Sequence, residues 1–152
     1  MRPVIVGMCN PLSRDPEHAL YPSPPGCTGH RLWQLLRIRQ PGVTEQQYLR
    51  AFDRRNLVAG REWDTLTGEM NAVIMTSELW CSGRTVLLLG EKVRRAFGLE
   101  KLLVHPQERD GCTWRQLPHP SGRNAWYNAQ DNRRVASLLL EELYVAAARE
   151  ET

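Results

Sequence analysis

The chain has 152 residues, 41% of them hydrophobic and 24% charged, which fits one soluble domain with a proper core and excludes a disordered chain. No apolar run is long enough to span a bilayer, and the opening MRPVIVGMCNP holds an apolar stretch too short for a signal peptide, so a cytoplasmic protein is expected. Net charge is only +3, but arginine strongly outnumbers lysine, and the planar guanidinium fork suits phosphate. Cys9, Cys27, Cys81 and Cys112 have neither C-x-x-C nor zinc-finger spacing, so reduced thiols and no metal are expected.

In chain order, residues 4–8 form an apolar run that stops at Asn10-Pro11, the pattern of a buried strand ending in a turn. Residues 11–26 are irregular and proline-rich. Thr28 is placed to cap a helix carrying Leu32, Leu35 and Leu36 on one face. Thr44 and Gln47 have capping-box spacing for a short helix through Tyr48, Leu49 and Phe52. RRNLV, residues 54–58, reads as a short strand. Thr67 is expected to cap a helix whose apolar face carries Met70, Val73 and Ile74.

TVLLLG, residues 85–90, is the clearest strand, and a short helix through Val93, Ala96 and Phe97 follows it. Strands are predicted near residues 102–104 and over residues 114–117. Asn128 with Asp131 is expected to cap a last helix whose Val135, Leu138, Leu139 and Ala146 share a face. Trp33, Trp63, Trp80 and Trp114 read as packing residues, Trp63 as an exposed-looking one in a loop.

Continuous apolar strands alternating with helices predict a single-domain, three-layer α/β/α sandwich with a short, mainly parallel central sheet. In such sheets ligands bind at the carboxyl ends of the strands. The two segments of oddest composition fall there: GMCNPLSRDPEHALYP after the first strand, and LPHPSGRNAWYN after the last parallel one.

These two turns resemble those of the uracil-DNA glycosylase superfamily, which has Gly-x-Asn-Pro or Gly-x-Asp-Pro after its first strand and His-Pro-Ser or Asn-Pro-Ser after its last. Gly7, Asn10 and Pro11 match the first motif, and His119, Pro120, Ser121 and Gly122 the second. GHRLWQLL resembles the helix that follows the first motif in the mismatch-specific branch. RRNLV and TVLLLGEKVRRAFG resemble the family's second and third strands, so the likeness runs in order along nearly the whole chain. One departure stands out: Met8 and Cys9 both intervene where the family has a single residue.

The resemblance implies a DNA glycosylase that hydrolyses the N-glycosidic bond of uracil or of a mismatched or modified pyrimidine, leaving an abasic site. DNA with a flipped nucleotide is the implied partner, with a monomeric protein and no cofactor. His119 would donate to the departing base and Asn10 would position water. Asp15 is a substitute base, although Asp before Pro is a common turn former. Gly7, Met8, Tyr21, Asn56 and Ser121 would hold the base, Tyr21 by stacking and Asn56 by its amide. Gly122, Arg123 and Asn124 would face the DNA. The matching branches that carry an iron–sulfur cluster place cysteines before the first motif, so the cluster does not carry over. A non-catalytic DNA-binding protein of the same fold, and an N-glycosidase of free nucleosides or nucleotides, are the alternatives.

Overall fold

The computed structural model describes residues 1–101 and 105–150. Five strands and five helices follow in the order β1 (Val4–Gly7), α1 (Thr28–Arg39), α2 (Glu45–Ala51), β2 (Asp53–Asn56), α3 (Thr65–Leu79), β3 (Thr85–Leu89), α4 (Glu91–Ala96), β4 (Gln107–Arg109), β5 (Cys112–Leu117) and α5 (Gln130–Glu150). The sheet order is β2-β1-β3-β5-β4, parallel throughout except for the edge pair β4–β5. Among the described residues no helix is long and apolar enough to cross a membrane.

Alternation along the central strands builds the two cores. Ile5, Leu87, Leu89 and Leu117 face one way, against α1, α2 and α5. Val4, Val6, Val86, Leu88 and Trp114 face the other, against α3 and α4. This is a three-layer α/β/α sandwich. Each fully buried Val or Leu of such a strand contributes on the order of 1.5–3 kcal/mol. Val86, Leu87, Leu88 and Leu89 are all inaccessible to solvent, which explains a run without polar alternation.

Several local expectations need correction. Cys27, not Thr28, caps α1, its Sγ accepting from the His30 N–H. Asp64, not Thr67, caps α3; Thr67 occupies the third helical position and donates to the Asp64 carboxylate from its backbone and hydroxyl. The predicted face of α3 is solvent-facing, because Gly68, Ala72, Met75 and Leu79 form the buried one. Small residues win there: the Trp63 ring lies where a Cβ on Gly68 would sit, which half-buries Trp63 against the core instead of leaving it in open loop. Trp80 is exposed and packs against nothing in either core.

The last helix starts after a short 3-10 turn (Ala125–Asn128) that contains Asn128, so Asn128 does not cap it. Its buried stripe is Ala136, Leu139, Leu140, Leu143 and Ala147, one position out of phase with the predicted face except at Leu139. The edge strand β4 was not anticipated. It turns into β5 through Asp110 and Gly111, both at positive φ, the conformation that Asp-Gly favours in a two-residue hairpin. The strand expected near residues 102–104 lies outside the described residues. The capping box at Thr44 and Gln47 forms as expected.

Candidate functional site

The loops after β1 and β5 meet at the carboxyl end of the parallel strands and enclose a cleft of about 570 Å³. Of the residues expected to form a site, Asn10, Tyr21, Asn56, Ser121 and Gly122 line it. His119 is set back by one residue from the wall made by Pro120, Ser121 and Gly122. Gly7 is buried behind the cleft and Met8 packs against a core cluster. Arg123 is exposed.

The first turn is held from several sides. Beyond Gly7 the β1 and β2 segments stay joined: the Leu57 N–H donates to the Gly7 carbonyl and the Val58 N–H to that of Met8, both at 2.9 Å. The extra residue of the motif is thereby absorbed by a longer ladder, and the Asn10 N–H then reaches the Gly60 carbonyl at 3.0 Å. The Asn10 amide faces its own loop. Its Nδ2 donates to the His18 carbonyl at 3.1 Å, and its Oδ1 accepts from the Leu12 N–H at 2.9 Å. Asp15 caps the 3-10 turn Pro16–His18 by accepting from the Glu17 N–H, and it borders a separate, smaller hollow. His18 accepts or donates through Nδ1 to the Ser13 hydroxyl, and its ring meets Tyr21 edge-on with centroids 5.8 Å apart.

Asn56 follows from a register. It pairs with Gly7 across β1 and β2, and a Cβ at Gly7 would stand 2.9 Å from Asn56 Oδ1 and 3.0 Å from Leu20 Cδ2. Only glycine leaves room for both. Asn56 Oδ1 is buried without a hydrogen-bonding partner, although a lone buried acceptor costs about 1–3 kcal/mol.

The last turn is organised the other way round. The His119 carbonyl accepts from the Ser121 N–H at 2.8 Å and from Asn124 Nδ2 at 3.1 Å, while Asn124 Oδ1 caps the following 3-10 turn at the Trp126 N–H. Asn124 therefore holds the turn together with both ends of its amide. The Tyr127 hydroxyl donates to the Pro118 carbonyl at 2.6 Å, and Arg133 donates to the Tyr127 and Asn128 carbonyls. Burial pushes the Tyr127 phenol well above its ordinary range, so it remains a donor. The His119 imidazole makes no hydrogen bond among the described residues. Its Cβ abuts Gly90, where another side chain would crowd it at 3.2 Å. Burial lowers its pKa from the ordinary histidine value, keeping the ring neutral at neutral pH.

Three residues that build the site carried no functional signal in the sequence. A Cβ on Gly29 would fall 2.2 Å from the Leu20 and Tyr21 carbonyl oxygens, so α1 can approach the loop only through a glycine. The buried Tyr48 hydroxyl donates to the Leu20 carbonyl at 2.9 Å, and Arg54 donates to the Ala19 and Glu17 carbonyls. Together they fix the strap that carries Tyr21. GHRLW offered a hint for Gly29; nothing in spacing marks Tyr48 or Arg54.

Neither an aspartate, a glutamate nor a lysine lines the cleft. Among the described residues no group of three or more His, Cys, Asp and Glu side chains is arranged to hold a metal. Compared with known families and with curated proteins, the sequence matches no family model and no curated protein.

Proposed function

We propose that the chain is a monofunctional DNA N-glycosylase of the uracil-DNA glycosylase type, acting on uracil or a mismatched or modified pyrimidine and leaving an abasic site. The observation that carries the reading is Asn56: an amide on the wall of a cleft at the carboxyl end of a parallel sheet, its Oδ1 buried and unpartnered beside a glycine that makes room for it. An amide presents one donor and one acceptor side by side, the complement of a pyrimidine edge.

The chemistry fits the residues present. Water forms a bond to C1′ of the sugar as the bond to the base nitrogen breaks, and the base leaves with the electron pair. Positive charge develops on the sugar and negative charge on the base, and the water's proton ends on the departing base or in solvent. A preorganised donor near the base oxygen stabilises that charge in a site with little water. His119 is suited to the task, since a neutral imidazole retains one N–H and this ring is not engaged elsewhere. Asn10 keeps one N–H and one lone pair of its amide beyond its two loop bonds, enough to orient water but not to deprotonate it strongly. The exposed Tyr21 edge lies on the cleft wall where a flipped base would stack. With no lysine on that wall, an imine to the sugar and strand cleavage are not expected.

A second reading draws on the absence of any carboxylate from the cleft: a protein of the same build that binds extruded or abasic nucleotides without excision. The test is purified protein on oligonucleotides carrying one uracil, one mismatched thymine or one hydroxymethylated pyrimidine, in single and double strands, followed by alkali. Alkali-labile breaks at one base, lost in Asn56→Leu, are expected. Intact strands with tight, salt-sensitive binding would leave the non-catalytic reading.

A further inference from the structure

Beside the first cleft runs a second, of about 560 Å³, between α1 and the 3-10 turn that precedes α5. The two share Gly26, Pro120, Ser121 and Gly122, so a ridge three residues wide divides them. Its outer Cα atoms stand at most about 7.6 Å apart, the reach of one extended nucleotide unit.

The walls of this groove are of two kinds. Leu35 and Ile38 provide apolar surface, while Arg31 and Arg133 provide charge, and no aspartate or glutamate lines it. Arg31 stands at the ridge itself: a Cβ on Gly122 would lie 2.6 Å from its Nη2. Its Nε donates to the Gly26 carbonyl at 3.1 Å, which fixes the side chain. Neither terminal nitrogen makes a hydrogen bond among the described residues. A guanidinium held by Nε, with both outer nitrogens open between two carboxylate-free hollows, matches a bridging phosphodiester.

We propose that this groove is a subsite for the nucleotide next to the extruded one, with Arg31 holding the phosphate that crosses the ridge, and that the protein therefore prefers single-stranded DNA. The inference rests on the reading of the first cleft as a base pocket. In a duplex the neighbouring base is stacked and paired and would have to be extruded as well. In a single strand it is available to enter the groove and lie on Leu35 and Ile38.

The experiment measures affinity by fluorescence anisotropy for labelled dT12 and for its duplex with dA12, over a range of salt. Wild type is expected to bind dT12 at least tenfold more tightly than the duplex. Arg31→Ala should lose about tenfold on dT12 and lower the salt slope by about one ion. Gln34→Trp, at an exposed position of α1 on the groove wall, narrows the groove without removing charge and should weaken dT12 but not the duplex. Thermal melting confirms that both variants fold. Equal binding of strand and duplex, no binding of dT12, or variants that bind dT12 as wild type does would overturn the proposal. Excision is assayed separately on the same proteins. Base release with dT12 affinity indifferent to both variants rejects the groove alone, while the expected losses without base release keep the groove and reject the glycosylase.

Discussion

In the turn after β1, Asn10 uses both ends of its amide on neighbouring backbone, and its own N–H reaches across to Gly60. In the turn after β5 the roles are reversed. Asn124 and Tyr127 hold the backbone on either side of His119, and the His119 ring is left without a bond. A motif residue can thus serve a site by shaping it or by being kept free within it. Asn10 does chiefly the first, and His119 is arranged for the second. Changes in the first turn should therefore act on stability before chemistry, and changes at His119 on chemistry before stability.

The largest effect on stability is expected at the strap that closes the first turn. Gly29→Ala pushes a methyl into two carbonyl oxygens and should cost about 3 kcal/mol or more, lowering the melting temperature by roughly 6–12 °C. A variant that melts like wild type would show that α1 does not pin the strap. Asn10→Ala comes next. Losing both loop bonds should cost about 1–3 kcal/mol, read as a shift in the urea midpoint with an unchanged slope.

Tyr127→Phe leaves the Pro118 carbonyl without its donor and should cost about 1 kcal/mol. Its excision rate should fall further than its melting temperature implies, because the His119 turn loosens. Parallel small losses in both would place Tyr127 outside the site's support.

The smallest effect is a pH dependence. His119 has a folded pKa below its ordinary value, so on acidification the unfolded chain takes up this proton first. Its contribution is thus intact above the ordinary histidine pKa of about 6.5 and declines as pH falls below it. Denaturation of wild type and His119→Ala across pH 5 to 8 should show a shallower acid-side decline in the variant. Identical profiles would mean that the ring is solvated.

How much of this was legible in the sequence depended on whether a signal had one physical meaning. TVLLL could only be a strand buried on both faces, and Thr44 with Gln47 could only be a reciprocal cap. The helix faces were ambiguous because α3 carries apolar residues on two sides. The buried side was chosen by close approach, through Gly68 and Ala72, instead of by the larger Met70, Val73 and Ile74. Cap positions slipped because Cys27 is a weak acceptor and Asp64 sits three residues before the equally plausible Thr67. Within the site, the meeting of the two turns followed from strand order. That Asn10 would face its own loop, and that Asn56 would lie against Gly7 with a lone acceptor, depended on register and loop path, which residue types do not encode.

The most direct test of the account compares single-turnover base release, duplex and single-strand affinity, and melting temperature for wild type, His119→Ala and Asn10→Ala. The account predicts that His119→Ala slows release by about 10²–10³ with affinity and melting little changed, while Asn10→Ala carries the larger loss of stability. Release that survives in His119→Ala, or falls only in proportion to DNA affinity, would contradict the assignment of the free ring to the departing base.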